Sequence, residues 1–375
     1  MKFSVIIPVH NAEKYIREAM DSVLAQELPS DVQMEVLLIE NGSGDRSAAI
    51  CDEYAEAASA RNAQIKTTKI KNAQIKSDQI KSAQIKSVHM GKASAYEARQ
   101  EGVRISTGDW IVFMDADDKV VPCLIDTLNN EIKKYSAEGK AVDVILYNAA
   151  ELDTPDKKMF GFPFEEGVAY GRDNRQDFHR LMCCGDSLNA MWNKCIKRDL
   201  SMESCVLDGR RLNHGEDLLQ TAAIIDRAKG IAYLDRILYL YRINEEGLTG
   251  SYHEEFMDNQ AGAWEAFDNY AGKWCGDKYS DIISRRKTLT CTIGMKKLIY
   301  SGLSIREIKK KLRTMVLSDF YKKYAKGELP DWAPEEDVFV HGLQVSANAE
   351  KSLMRSCLKH KLKSYIKARI RKNGI

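Results

Sequence analysis

The sequence predicts an α/β protein with a doubly wound, mostly parallel sheet of Rossmann-like type, followed by a helical C-terminal region. The order strand, turn, helix occurs twice within residues 1–58, as at the start of such a sheet. An unbroken apolar run, Trp110–Met114, is typical of a strand buried on both faces in a parallel sheet. From about residue 252 the apolar spacing becomes helical. We expect a sheet domain over residues 1–250 and a helical region over residues 251–375.

The first two strand–helix units follow from their apolar spacing. Val5–Ile7 is a short buried strand, and Asn11 is a suitable N-cap for the helix that follows. Helical spacing relates the apolar residues Ile16, Ala19, Met20, Val23 and Leu24. Met34–Ile39 is the second strand, and the polar turn after it, Glu40–Asp45, leads into a helix that ends near residue 58.

Residues 62–86 interrupt this pattern with a pentapeptide repeat in which Gln-Ile-Lys recurs. A period of five residues matches neither a helix nor a strand, so we interpret the segment as a surface insertion. A basic docking arm is the alternative. The last copy predicts a short strand over Ile85–His89.

The remaining elements of the first domain alternate in the same way. A helix is predicted over Ala93–Ile105, then the central strand, and then a helix that begins near Pro122. Val142–Tyr147 and Ile231–Tyr241 are further strands, while residues 151–190 show no clear pattern. The acids Glu216 and Asp217 open a helix that ends near residue 228.

Three carboxylates, Asp115, Asp117 and Asp118, follow the central strand directly. Ligands of open α/β sheets bind beyond the carboxyl ends of such strands. Carboxylates this close repel one another unless a cation joins them, and Mg²⁺ or Mn²⁺ prefers oxygen ligands. The motif therefore indicates a metal site, although a solvated acidic turn is the alternative.

Composition excludes several classes of protein. The chain is 44% hydrophobic, but no apolar run approaches the roughly 18 residues of a membrane span. A strand-like segment at the N-terminus argues against a signal peptide. Nine cysteines without C-x-x-C spacing indicate reduced, structural thiols rather than a zinc site. We expect a cytoplasmic protein.

Basic residues are concentrated at the C-terminus. The net charge is +2, yet residues 351–375 hold nine Lys or Arg and no acid. This predicts a basic tail rather than a nucleic-acid-binding domain. Within it, helical spacing relates the apolar residues Leu358, Leu362, Tyr365, Ile366 and Ile370. Such a helix can lie on an anionic membrane as a peripheral contact, or pack on the protein body; both alternatives stay open.

Five motifs occur in order along residues 1–250: Val5–Asn11, Glu40–Asp45, Met114–Asp118, Trp192–Lys194 and Glu216-Asp217. Together they resemble the family 2 glycosyltransferases of the GT-A fold. The resemblance implies a metal-dependent, inverting transferase of the hexosyltransferase type. Its donor would be a nucleotide-sugar, with UDP-sugars favoured. Its acceptor would be a saccharide or lipid-linked saccharide in cell-surface polysaccharide synthesis.

The resemblance also implies roles for individual residues. Asp117, with Asp115, would hold Mn²⁺ or Mg²⁺, and Asp217 or its neighbour Glu216 would be the catalytic base. The nucleotide-sugar pocket would be lined by Pro8, Val9, His10, Glu13, Glu40, Asn41, Lys92, Arg99, Asp115 and Asp117. The acceptor side would be shaped by Trp192, Asn193, Lys194 and Arg242. The chain departs from the family at His10, often Tyr, and at Glu40-Asn41, often Asp-Asp.

Elementary chemistry agrees with this assignment. Loss of a nucleoside diphosphate builds negative charge that a divalent cation neutralises, and the attacking hydroxyl needs a base on the opposite face of the sugar. For Glu216-Asp217 the alternative is a pair of acids that complement a helix dipole.

Two rival functions remain. A metal-dependent nucleotidyltransferase would show a glycine-rich loop after the first strand, as would a Rossmann dehydrogenase, and Pro8–Asn11 contains no glycine. A non-catalytic nucleotide-sugar-binding protein would bind the donor without turnover, and the presence of both acid motifs argues against it.

Overall fold

The computed structural model describes residues 1–62, 83–204, 212–244 and 252–372. The chain divides into two compact units, one of Met1–Met182 with Asp186–Ile243, the other of Cys183–Gly185 with Asn244–Ile375. Most of the predicted repeat insertion, residues 63–82, lies outside the described residues.

The first unit is built on a nine-stranded sheet. The strands are β1 Lys2–Val9, β2 Gln33–Asn41, β3 Ala83–Met90, β4 Trp110–Phe113, β5 Lys119–Val120, β6 Val144–Glu151, β7 Ala169–Tyr170, β8 Lys194–Lys197 and β9 Ile231–Tyr241. Their order is β3-β2-β1-β4-β8-β6-β9-β5, and β7 pairs with β9. The strands β3, β2, β1 and β4 are mutually parallel, as is the β6–β9 pair. The strands β8, β5 and β7 pair antiparallel with their neighbours.

Among the described residues, seven helices accompany this sheet: α1 Ile16–Leu24, α2 Ser47–Asn62, α3 Ala95–Ile105, α4 Leu124–Ala137, α5 Gln176–Cys184, α6 Arg198–Glu203 and α7 Glu216–Arg227. The apolar residues predicted for α1 are the ones it buries. The prediction that Asn11 caps α1 is wrong, because the helix begins after Tyr15. Asn11 instead adopts a positive φ of 51°, and its Oδ1 accepts a hydrogen bond of 2.8 Å from the Gly44 amide. It therefore ties together the loops after β1 and β2.

The position of α3 is fixed at two points. Ser94 and Glu97 form a capping box at its start. Near its end, a Cβ atom on Gly102 would lie 2.3 Å from Ile6 Cγ2, so only glycine allows this close approach to β1. Side chains of α3 are consequently held at a defined distance from the sheet.

The second unit is helical. Its helices are α8 Phe256–Cys275, α9 Ser280–Ile299, α10 Ile305–Leu317, α11 Asp319–Tyr324, α12 Glu335–Gln344 and α13 Ala349–Lys372. A core of its own includes Met295, Leu298 and Ile308, together with Leu353 and Cys357 of α13. In the part of the chain that the structure describes, no helix combines the length and apolarity that a membrane crossing requires.

Candidate functional site

The carboxyl ends of the parallel strands form one edge of the sheet. Val9 of β1 is paired in register with Glu40 of β2, and Glu40 with His89 of β3. The Met114 amide, just past β4, donates a 3.0 Å hydrogen bond to the Ile6 carbonyl. The acids Asp115 and Asp117 therefore leave the sheet at the edge that carries Glu40. Parallel α/β sheets bind ligands at this edge.

Glu40 is engaged with residues that sequence reasoning did not select. Its Oε1 accepts a 2.5 Å hydrogen bond from the Ser43 amide, and its Oε2 lies 3.3 Å from His89 Nδ1. The other ring nitrogen of His89 lies 2.7 Å from Asp52 Oδ1. The hydrogen bond with Asp52 and the weaker one with Glu40 raise the pKa of His89. His89 could have been identified from the parallel pairing of β3 with β2, which places it beside Glu40.

Of the other residues predicted for the nucleotide pocket, His10, Glu13 and Lys92 lie in the loops at this edge. The strand β1 ends with Pro8 and Val9, and β2 ends with Asn41. Asn41 donates a 2.9 Å hydrogen bond to the Ala93 carbonyl, and Glu13 accepts one of 3.0 Å from the Arg46 amide. His10 contacts the Asn11 amide group at 3.1 Å. Lys92 is exposed, and its backbone lies against Gly42. The loops after β1, β2 and β3 thus meet in space.

Tyr239 of β9 stabilises the acidic turn after β4 through two hydrogen bonds. The Tyr239 hydroxyl donates a 2.6 Å hydrogen bond to Asp118 and accepts one of 3.0 Å from the Asp115 amide. The Asp118 carboxyl, almost fully buried, also accepts a 2.7 Å bond from the Arg242 amide. Burial and the nearby Asp115 charge raise the pKa of Asp118, against the hydrogen bond from Tyr239. Asp118 is therefore a structural member of the turn.

Arg242, predicted for the acceptor side, is committed to its own neighbours. Its Nε donates a 2.8 Å hydrogen bond to the Asp117 carbonyl, and its Nη2 lies 2.9 Å from Glu18 Oε2. Its guanidinium also lies over the ring of Tyr15, 4.9 Å from the centroid. Arg242 thus links the acidic turn to the first helix.

Arg99 joins the two acid groups that the sequence separates. Its Nη1 donates a 2.5 Å hydrogen bond to Asp217 Oδ1 and lies 3.9 Å from Glu216 Oε1. Its Nη2 lies 3.8 Å from Asp115 Oδ1. Arg99 is 5% exposed, so its guanidinium is enclosed by these carboxylates. Arg99 and Asp217 are 118 residues apart in the sequence, and the two acid motifs meet at the buried guanidinium of Arg99.

We call Asp115, Asp117, Glu216 and Asp217 the acid centre, and these four carboxylates outnumber the single guanidinium of Arg99 that contacts three of them. Burial, followed by the charge of Asp217, raises the pKa of Glu216, and Arg99 lowers it only in part. Burial likewise raises the pKa of Asp115, which the Asp117 and Asp217 charges raise further against Arg99. The Asp115 side chain is still 38% exposed, so a ligand can reach it.

Glu35 on β2 shows the opposite behaviour, because its buried carboxylate has a full set of partners. Burial alone would raise its pKa. Hydrogen bonds from Ser4 and Thr107 instead bring the pKa of Glu35 down to about 2. The excess negative charge of the acid centre is therefore a local feature, of the kind that functional sites show.

Trp192, Asn193 and Lys194 lie beside the acid centre, but they are differently disposed. The Trp192 ring stacks on Tyr239 with a centroid distance of 4.5 Å. Lys194 is buried, and its ammonium donates hydrogen bonds to Leu188 O at 2.7 Å, to Ala190 O, and to Asn193 Oδ1 at 2.9 Å. Burial lowers the pKa of Lys194 to about 7, against the Asp217 charge.

All three protons of the Lys194 ammonium are therefore used within the protein. The Asn193 side chain is fully buried as well. The geometry favours a role for both side chains in holding the loop that carries Trp192, rather than direct contact with an acceptor.

The donor set fits a metal ion that a diphosphate completes. Among the described residues, no three His, Cys, Asp or Glu side chains are arranged as a ready-made metal site. Mg²⁺ commonly binds through one or two carboxylates, with substrate phosphates and waters as the other ligands. Asp115 and Asp117 offer such oxygen ligands within a centre of excess negative charge.

Comparison with known proteins gives a consistent result. The chain matches the family "Glycosyl transferase family 2" over residues 4–198. It is 24% identical over 333 residues to the uncharacterized glycosyltransferase EpsJ of Bacillus subtilis, covering 85% of each chain. It is 26% identical to the glycosyltransferase GlyA of Streptococcus pneumoniae, covering 68% of this chain but 32% of that protein.

Among solved structures, the crystal structure of Staphylococcus aureus TarS 1–349 in complex with UDP-GlcNAc is similar in fold. The TM-score is 0.58 at 18% identity, covering 97% of this chain and 92% of that one. The mixed α/β architecture with its helical C-terminal region thus has a counterpart among GT-A structures.

Proposed function

Because the chain belongs to glycosyltransferase family 2, we propose that it is a metal-dependent, inverting hexosyltransferase that uses a nucleotide-diphospho-sugar, with UDP-sugars favoured. The observation that carries this proposal is the acid centre. At the carboxyl edge of the sheet, Arg99 contacts both Asp115 of the acidic turn and the second pair of acids, Glu216-Asp217. An inverting single displacement needs these two functions on one site.

The donor would lie across the loops at this edge. Pro8, Val9, His10, Glu13, Glu40, Asn41 and Lys92 would line the nucleotide. Asp115 would face the ribose, and Asp117 would hold Mn²⁺ or Mg²⁺ beside the diphosphate. When bound, the cation supplies neutralising charge to the departing diphosphate. The hydrogen bonds of Asp118 keep the turn in the conformation that presents both acids.

The second acid group would act on the acceptor. Asp217, or its neighbour Glu216, takes the proton from the acceptor hydroxyl. The hydroxyl oxygen forms a bond to the anomeric carbon of the donor sugar. The bond from that carbon to the diphosphate oxygen breaks, and its electron pair leaves with the diphosphate. Attack opposite to the leaving group inverts the anomeric configuration.

The nature of donor and acceptor is supported by the TarS relationship. TarS was crystallised with UDP-GlcNAc and with UDP, and it is named a poly(ribitol-phosphate) β-N-acetylglucosaminyltransferase. We infer for this chain a saccharide or lipid-linked saccharide acceptor that belongs to a cell-surface polymer. We propose that Trp192, which stacks on Tyr239 beneath the acidic turn, shapes the acceptor side.

A turnover assay tests the proposed function. The purified protein is incubated with a panel of nucleotide-sugars and Mn²⁺, and release of the nucleoside diphosphate is followed with and without EDTA. We expect release from one UDP-sugar, lost in EDTA. Binding of UDP-sugars without any turnover across the panel would favour a non-catalytic binding protein. Release of pyrophosphate from a nucleoside triphosphate and a sugar phosphate would favour a nucleotidyltransferase.

We also propose that residues 351–375 contact the cytoplasmic face of an anionic membrane. The helix α13 buries Leu353 and Cys357 in the helical unit, whereas Leu358, Leu362 and Tyr365 are 48%, 61% and 63% exposed. Basic residues surround these apolar side chains: Arg355, Lys359, Lys361 and Lys363. Each cation near an anionic surface contributes about 1 kcal/mol, and the exposed apolar side chains add to this.

Liposome flotation tests the membrane contact. The unsubstituted protein should float with anionic vesicles at low salt and sediment at high salt, and Leu358→Ser/Leu362→Ser should abolish flotation. Substitution is cleaner than truncation, because truncation would remove the buried Leu353 and Cys357. The control is Val338→Ser/Phe339→Ser, whose side chains are 51% and 56% exposed on α12. Equal flotation of all three proteins would exclude α13 as the membrane contact.

A further inference from the structure

Arg99 is a buried cation whose backbone is held in place. It lies in α3, between the capping box at Ser94 and Glu97 and the close contact of Gly102 with Ile6. The Cα atom of Arg99 is therefore held at a defined position relative to the sheet. Because Arg99 is 5% exposed, its guanidinium is confined to the directions that its partners allow.

Those partners are mostly on α7. Nη1 is 2.5 Å from Asp217 Oδ1 and 3.3 Å from Gln220 Oε1, which lie on one face of that helix. Hydrogen bonds between a guanidinium and a carboxylate are charge-assisted, and the planar fork of Arg sets the orientation of the acid. Asp217 is 35% exposed on its other side, so its carboxylate can still meet a ligand.

A guanidinium that binds a diphosphate directly would be open to the donor. That of Arg99 faces carboxylates on Asp115, Glu216 and Asp217. The arrangement therefore favours an action through the acids over the nucleotide contact that the family resemblance implies.

We propose that Arg99 is a positioning residue for the transfer reaction, which orients the Asp217 carboxylate toward the acceptor hydroxyl. The inference rests on the proposed function, in which Asp217 is the base. Arg99 neither binds the donor phosphates nor reacts. It fixes the spacing between the metal-binding turn and the base, since its second amino group faces Asp115.

The test compares Arg99→Met and Arg99→Lys with a matched control, Arg104→Met. Arg104 lies on the same helix, is exposed, and pairs with Glu101. With Mn²⁺ and the UDP-sugar that the protein turns over, we expect Arg99→Met to lower kcat by about 10²-fold, the cost of a misplaced reacting group. UDP affinity, measured by calorimetry, should stay within about threefold of wild type, because Arg99 positions the base and does not contact the donor. The Lys variant should recover part of kcat, and Arg104→Met should behave as wild type.

A double-mutant cycle completes the test. Arg99→Met should cost little when added to Asp217→Asn, because the two side chains act as one unit. Additive losses in this cycle would overturn the positioning role of Arg99. So would a tenfold fall in the UDP affinity of Arg99→Met, or a lowered melting temperature of that variant with unchanged kcat. None of these results would change the assignment of Asp217 as the base. Full turnover by Asp217→Asn by itself would overturn the base assignment, and the role of Arg99 with it.

Discussion

The Asp117→Asn variant is expected to lose metal-dependent turnover almost completely. Asp117 follows a buried strand, and the next acid of its turn, Asp118, is hydrogen-bonded to Tyr239 and Arg242. In the proposed function, replacing its carboxylate by an amide would remove a charged metal ligand beside the diphosphate, where negative charge develops. Loss of one group that stabilises such charge costs about 10²–10³-fold in kcat, and weaker metal binding adds to this.

The measurement is diphosphate release as a function of Mn²⁺ concentration, together with the melting temperature in the same buffer. The control is Asp153→Asn, an exposed acid of the same unit, which should leave both quantities unchanged. A stably folded Asp117→Asn variant with full activity, or wild-type activity that persists in EDTA, would remove the metal from the proposed function.

Most of the sheet was predictable because burial leaves a direct trace in the sequence. Strands buried on both faces appear as apolar runs, and Trp110–Phe113 was found in this way. Amphipathic helices leave a periodic trace, as α1 does. The GT-A fold therefore follows from local patterns that tertiary structure does not override.

The hydrogen-bond partners of the site residues were not predictable, because they depend on contacts between residues distant in sequence. Asn11 has the chemistry of a helix cap, yet its side chain serves the loop after β2. Lys194 has the chemistry of a ligand contact, yet its ammonium donates hydrogen bonds to carbonyl oxygens of the preceding loop. Tyr239 is one apolar-run residue among several in sequence, and only the structure shows its hydroxyl beneath the acid turn. Local sequence gives the chemistry of a side chain but not its partner.

The acid centre itself lies between these two cases. The motifs identified Asp115, Asp117, Glu216 and Asp217, but the sequence contains no signal that Arg99 joins them. Carboxylates of Asp115, Glu216 and Asp217 lie 3.8, 3.9 and 2.5 Å from the one guanidinium of Arg99, so three acids share a single positive charge. A group of acids with too few cations around it favours the binding of a further cation, such as the proposed Mn²⁺ or Mg²⁺.

The Asp217→Asn variant is expected to lower kcat by about 10²–10⁴-fold, which is the usual contribution of a positioned base, with UDP affinity unchanged. The amide cannot take the proton of the acceptor hydroxyl. It is nearly isosteric and leaves Arg99 its contacts with Asp115 and Glu216, so the fold should persist.

Glu216→Gln identifies which neighbour is the base, because the variant of the true base should show the larger fall in kcat at equal UDP affinity. The control is Asp226→Asn, on the same helix but nine residues further, about 13 Å along the axis. It should retain wild-type kcat. If Asp217→Asn lost UDP affinity instead, with kcat retained at saturating donor, Asp217 would belong to the donor side. The proton would then have to leave through Glu216, which lies 3.9 Å from the same guanidinium of Arg99.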